Sequence, residues 1–193
     1  MKLAIIDYGA GNIQSLRFAL DRLGVESVLS SNADEIKKAD KVIFPGVGQA
    51  STAMNYLKAY KIDKVICELT QPFLGICLGL QLMCEYSEES NTKCLGIFKT
   101  KVKRFNTSHR VPHMGWNTFE FKDQAIFSKL NNQNDVYFVH SYFAEVCKQT
   151  TAICNYGTSF SAALQIDNFY ATQFHPEKSG EIGDQILKNF LAL

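Results

Sequence analysis

The stretch Leu74-Gly75-Ile76-Cys77-Leu78-Gly79 constrains this chain more than any other. It closes an apolar run and opens a helical pattern, so a strand meets a helix there with no room for a loop. A strand end needs no glycine, and a helix interior is weakened by one. Glycines on both sides of a cysteine predict a sharp strand-to-helix turn with neighbouring backbone close by, because a Cβ at Gly75 or Gly79 would collide. Such a turn lifts Cys77 out of the sheet and sets its sulfur at a helix N-terminus, where free N–H groups and the dipole favour thiolate. The pattern has the form of a nucleophile elbow with Cys in place of Ser. The first N–H of the helix, from Leu78, would then point where an oxyanion forms. The plain alternative is a buried core cysteine beside a packing glycine.

The surrounding pattern supplies a frame for such an elbow. KLAIIDY, VESVLS, KVIFP and PFLGI read as strands. Gly11 to Leu23, a segment after the potential cap Asn32, residues 49 to 69 with a break near Tyr60, and Leu78 to Tyr86 read as helices. Strands alternating with helices at this spacing predict a mostly parallel sheet covered on both faces. After residue 90 the segments LGIFKTKVKRF, WNTFEF, VYFVHSYF, TTAICNY, SAALQI and NFYATQF are short and β-rich. They suggest a mixed or antiparallel extension of the first sheet, and a last helix from Glu181 to Leu191 closes the pattern. One α/β domain over residues 1–193 is expected.

Bulk properties exclude other classes. A formal net charge of +1 gives no electrostatic case for nucleic acid or an anionic membrane. The Lys99 to Arg104 cluster is interleaved with apolar residues, as on the wet face of a strand. No apolar run reaches the length of a membrane span, and the amino-terminal run is too short for a signal-peptide core, so a cytoplasmic protein is expected. The six cysteines sit mostly in apolar runs and read as free, buried thiols. No Cys/His spacing matches a structural zinc site, so no metal is expected.

A cysteine nucleophile wants a base and a group that orients it. His175 follows the strand NFYATQF, and Glu177 stands two residues on, across a proline that favours extended geometry. In an extended segment residues i and i+2 point the same way, so Glu177 can accept the second imidazole N–H. FPGVGQAS, residues 44 to 51, also joins a strand to a helix. It lacks the Walker pattern, and its glycines let the backbone at Gly46, Val47 and Gly48 turn N–H groups toward an oxyanion. DYGAGNIQ begins a dinucleotide fingerprint, but Gln14 stands where the third glycine belongs.

These residues together resemble the class I glutamine amidotransferases, and within them the branch that serves histidine biosynthesis. GICLGLQ and FHPE carry the first likeness. DYGAGN, PHMGWN and YFVHSY carry the second, and the likeness covers nearly the whole chain. It implies a flavodoxin-like α/β fold and a Cys77, His175, Glu177 triad that releases ammonia from glutamine through a thioester. It implies an oxyanion strand at Gly46, Val47, Gly48 and Leu78, and contacts to the glutamine α-groups from Gln81, His140, Ser141 and Tyr142. No cofactor is implied. The ammonia would pass to a separate (β/α)8-barrel cyclase, met through Asn12, Trp116, Tyr137 and Lys178. PHMGWN reads as a loop, which favours an interface role for Trp116 over core packing. The resemblance further implies a nearly silent isolated subunit, in which the PGVG peptide must flip before its N–H serves the oxyanion. Three rivals stay open: a related subunit feeding ammonia to another acceptor such as a sugar nucleotide, a stand-alone cysteine hydrolase, and an inactive binding module.

Overall fold

The computed structural model of the protein describes residues 1–9, 13–106, 108–131 and 134–193. The amino-terminal part alternates as the periodicity predicts. β1 (Leu3–Ile6), α1 (Gln14–Arg22), β2 (Ser27–Ser30), α2 (Ala33–Lys37), β3 (Lys41–Phe44), α3 (Ala50–Ala59), α4 (Ile62–Glu68), β4 (Phe73–Ile76) and α5 (Leu78–Met83) follow in order. The Asn32 side-chain oxygen accepts the N–H groups of Asp34 and Glu35 at 2.8 and 3.2 Å, capping α2. The break between α3 and α4 falls at Tyr60 and Lys61, the latter in the left-handed region with φ 58°.

The later elements are β5 (Tyr86–Ser87), β6 (Thr92–Lys93), β7 (Lys101–Arg104), β8 (His113–Thr118) and β9 (Glu120–Phe121). They continue with β10 (Asp135–His140), β11 (Tyr142–Ala144), β12 (Thr150–Asn155), β13 (Ser159–Ile166), β14 (Phe169–Thr172) and α6 (Gly180–Ala192). The main sheet runs β2-β1-β3-β4-β14-β13-β12-β9. Its first five strands are parallel and the last three antiparallel, which matches the expected extension. Both faces are covered. Ala4 and Ile6 of β1 join a core with residues of α2, α3 and α4, whereas Leu3 and Ile5 join a second core with α1 and α6. This is the period-two alternation of a strand buried on both sides.

Five expectations need correction. The β-rich second half does not all extend the main sheet: β11-β7-β5-β6 form a separate sheet and β10-β8 a two-stranded ribbon. VYFVHSYF is accordingly cut at Ser141, with β10 pairing β8 and β11 pairing β7. α5 ends at Met83 rather than Tyr86, because the Glu85 N–H bonds Thr100 O at 3.0 Å and Tyr86 pairs with Lys101. PHMGWN is strand, not loop, over His113–Thr118. The cysteines are free, but Cys67 is exposed and Cys147 half-buried. Among the described residues no helix is long and apolar enough to cross a membrane.

Backbone packs closely where the turn after β3 meets α5, at Gly46 and Gly79. An added Cβ on Gly79 would overlap Phe44 O, and one on Gly46 would overlap Ile76 O and the Leu78 and Gly79 amides. Gly79→Ala is expected to destabilise the fold by about 1–3 kcal/mol, the usual cost of overpacking, measured by urea unfolding.

Candidate active site

β4 and β14 pair in parallel with Ile76 opposite Thr172, so the segments leaving their carboxyl ends converge. β4 leads into Cys77 and β14 into Gln173, Phe174 and His175. Cys77 takes φ 51° and ψ −104°, a conformation costly for an L residue, on the order of 1–3 kcal/mol. Its backbone is pinned on both sides. The Cys77 N–H donates to Thr172 O at 2.7 Å, and Cys77 O accepts from the Gln81 N–H at 3.2 Å. The strained turn aims the side chain out of the sheet.

His175 shares the wall of one cavity with Cys77 and holds Glu177 on its other side, with Nδ1 2.7 Å from Glu177 Oε1. The route differs from the extended segment expected. Pro176–Lys178 is a 3₁₀ turn, started by a proline whose fixed φ suits a first helical position, and Glu177 folds back onto the ring. Burial alone would push the imidazole down. The Cys77 sulfur and the Glu177 carboxylate override it and raise His175 to about 10.

A cavity of about 350 Å³ opens over this cluster. Gly46, Val47, Gly48, Cys77, Leu78, Gln81, His140, Ser141, Tyr142 and His175 line it, so the expected oxyanion and substrate residues come together. A larger groove of about 470 Å³ beside α3 and α4 contains Cys67 but not Cys77, His175 or Glu177. Trp116 is 57 % exposed, with its ring centroid 6.0 Å from that of Tyr137; Lys178 Nζ lies 6.0 Å from the Tyr137 ring. These three cluster outside the cavity, while Asn12 lies outside the described residues.

The ring of His140 is committed inside the protein. Its Nδ1 donates to Tyr142 O at 2.8 Å, so Nε2 accepts from His113 Nδ1 at 3.0 Å, and His113 Nε2 in turn accepts from Asn117 Nδ2 at 3.3 Å. Burial holds both rings neutral, lowering His113 to about 4 and His140 to about 3.

Three further residues escaped the sequence reading. Gln173 is fully buried; its Nε2 donates to Cys77 Sγ at 3.5 Å and its Oε1 accepts from Gln81 Nε2 at 3.1 Å. Its nearness to His175 in sequence is the one signal that could have found it. Glu89 supplies a carboxylate to the cavity wall and accepts the Ala50 N–H at 2.7 Å. Tyr8 places its hydroxyl under the 45–47 turn.

The raised His175 value has a definite sign. Its contribution to stability is complete below the ordinary histidine value near 6.5 and is lost as pH rises through about 10. With Cys77→Ala or Glu177→Gln, the His175 titration midpoint, followed by NMR of labelled imidazole, should fall. With both changes it should drop below 6.5, since only burial then acts.

A class-I glutamine amidotransferase family model matches residues 4–193. A curated relative from Bacteroides fragilis, the imidazole glycerol phosphate synthase subunit HisH, is 57 % identical over 196 residues and covers 100 % of both chains. The Buchnera aphidicola protein of the same description is 46 % identical, again over 100 % of both chains. Among solved structures, one described as a glutamine amidotransferase superposes with a TM-score of 0.76 at 18 % identity, covering 98 % of this chain and 97 % of that one. A glutamine amidotransferase from Thermotoga maritima gives 0.66 at 14 % identity, covering 100 % and 83 %. The structural likenesses speak for the fold alone.

Proposed function

This chain belongs to the class-I glutamine amidotransferase family, and on that premise we propose that it is the glutaminase subunit of imidazole glycerol phosphate synthase. It hydrolyses glutamine to glutamate and ammonia. It hands the ammonia to a separate (β/α)8-barrel cyclase, which makes imidazole glycerol phosphate and aminoimidazole carboxamide ribonucleotide in histidine biosynthesis. The observation that carries this reading is the full-length 57 % identity to a relative bearing that subunit's name.

The geometry supports the chemistry. In our reading the Cys77 thiol passes its proton to His175 as the sulfur attacks the side-chain amide carbon of glutamine. The oxyanion is met by the Leu78 N–H and by a donor from the 46–48 turn. His175 gives its proton to the departing ammonia, leaving a γ-glutamyl thioester. The neutral ring then takes a proton from water, whose hydroxide attacks the thioester and releases glutamate and thiolate. Glu177, 2.7 Å from Nδ1, keeps the ring oriented throughout.

The cavity is suited to an amino acid. Both N–H bonds of the Gln81 amide are committed, to Tyr142 O at 2.8 Å and Gln173 Oε1 at 3.1 Å. Its own oxygen is therefore the atom offered to a ligand, and with the Glu89 carboxylate it suits an α-ammonium group. Ser141 and the backbone beside it suit the α-carboxylate. At the surface Trp116, Tyr137 and Lys178, joined by likeness with Asn12, form the proposed contact with the cyclase. Tyr137 also reaches the triad through its backbone. Its carbonyl accepts the His175 N–H at 2.9 Å, and its N–H donates to Ser179 Oγ at 3.0 Å.

The test is glutamate release from glutamine by the purified chain, alone and with the barrel cyclase and its nucleotide ligand. A low rate alone, strong stimulation by the liganded cyclase, and loss of at least about a thousandfold in Cys77→Ala are expected. Robust turnover alone would point to a free-standing amidase. No stimulation, with Cys77 still labelled by a glutamine-like electrophile, would mean that the chain serves another acceptor.

A further inference from the structure

The motif DYGAGN has no part in the chemistry above, yet its tyrosine lies beneath the turn that borders the nucleophile. We propose that Tyr8 is a positioning residue that holds the Val47 N–H away from the reacting centre and keeps the partner-free enzyme slow. The inference rests on the proposed glutaminase function.

The Tyr8 hydroxyl donates to Pro45 O at 2.8 Å and accepts the Val47 N–H at 3.3 Å. Val47 O lies 3.4 Å from the same oxygen. One phenol thus occupies the polar groups on the inner side of the turn. Val47 also lines the cavity that contains Cys77. An N–H bonded to a buried phenol cannot at the same time stabilise an oxyanion on a Cys77 adduct, so the Val47 donor is withheld from the site. Loss of one oxyanion donor costs a factor of about a hundred or more.

The clamp is built to persist and to release. Tyr8 is 5 % exposed and its ring packs edge-on against Phe44 at 5.4 Å, so the hydroxyl is fixed from below. Burial raises the phenol far above its ordinary value, so it stays protonated and able to donate to Pro45 O. The Val47 N–H belongs to the peptide that joins Gly46 to Val47, so turning it changes ψ at Gly46, a residue with no side chain to restrict the rotation.

The experiment compares Tyr8→Phe, which keeps the ring and its Phe44 contact, with the parent chain. Partner-free glutamate release is measured per site labelled by a glutamine-like electrophile at Cys77, so that misfolded molecules do not count. Release of two neutral hydrogen bonds predicts a partner-free rate higher by about tenfold, with the cyclase-stimulated rate within about threefold of the parent. The gain should vanish when Tyr8→Phe is combined with Val47→Pro, which removes the N–H in question. An unchanged or lower partner-free rate per labelled site overturns the clamp, and so does a gain that survives in Val47→Pro. The proposed function is read separately, by whether the liganded cyclase stimulates the parent.

Discussion

The structure around the proposed nucleophile depends on one close approach of backbone to backbone. The turn after β3 is pressed onto the start of α5 so tightly that a Cβ on Gly46 would overlap the Leu78 and Gly79 amides, and one on Gly79 would overlap Phe44 O. Side chains have been removed from both surfaces to permit this. The approach brings the two candidate oxyanion elements, the Leu78 N–H and the 46–48 turn, to the same side of Cys77. It also explains why the strained φ of 51° at Cys77 persists: relaxing that residue would drive α5 into the turn. A strained residue survives where its surroundings over-determine it, and here the surroundings are two neighbouring strand ends.

The charge state of the site follows from which imidazoles have partners. Three histidines, His113, His140 and His175, lie buried near one another. Desolvation lowers all three. Only His175 has a carboxylate and a sulfur in contact, and only His175 is raised. His113 and His140 bond each other, the Asn117 side chain and the Tyr142 carbonyl instead, and remain neutral. A second imidazolium beside the first would repel it and oppose its protonation. The neutral pair therefore lets the cavity wall be polar and well ordered without adding positive charge to it.

Much of this was legible in the sequence, for local reasons. GICLG and PGVG specify their turns because only glycine fits, and the alternation of buried strands with helices specifies the parallel sheet. The proximity of Cys77, His175 and Glu177 was legible as three residue types at strand ends. The second half was read less well because its strands are short and apolar on one side only, so periodicity marks each strand but not its partner. VYFVHSYF reads as one strand; in the fold it is two, because β8 and β7 compete for its two ends. The extended reading of HPE failed because proline suits both an extended residue before it and a helical turn after it. Gln173 and Tyr8 were not found because their roles arise from contacts across 96 and 39 residues of chain, which spacing cannot report.

The ribbon β8-β10 links what these local features leave separate. Trp116 stands opposite Tyr137 and Met114 opposite Val139, so one face of the ribbon runs from exposed aromatic surface to the cavity wall. Val139 O lies 3.9 Å from Cys77 Sγ, and Tyr137 is bonded through its backbone to the His175–Ser179 segment. A partner that grips Trp116 and Tyr137 therefore pulls on a strand whose backbone touches both the proposed nucleophile and its base. The same ribbon carries His113 and His140, whose directed hydrogen bonds end on Tyr142 O, the acceptor of Gln81. Displacement of the ribbon would thus be felt at the sulfur, at the proposed base and at the Gln81 amide, with no segment having to move independently. A two-stranded ribbon outside the main sheet is suited to this, because shifting it breaks none of the hydrogen bonds that hold β4 and β14 together.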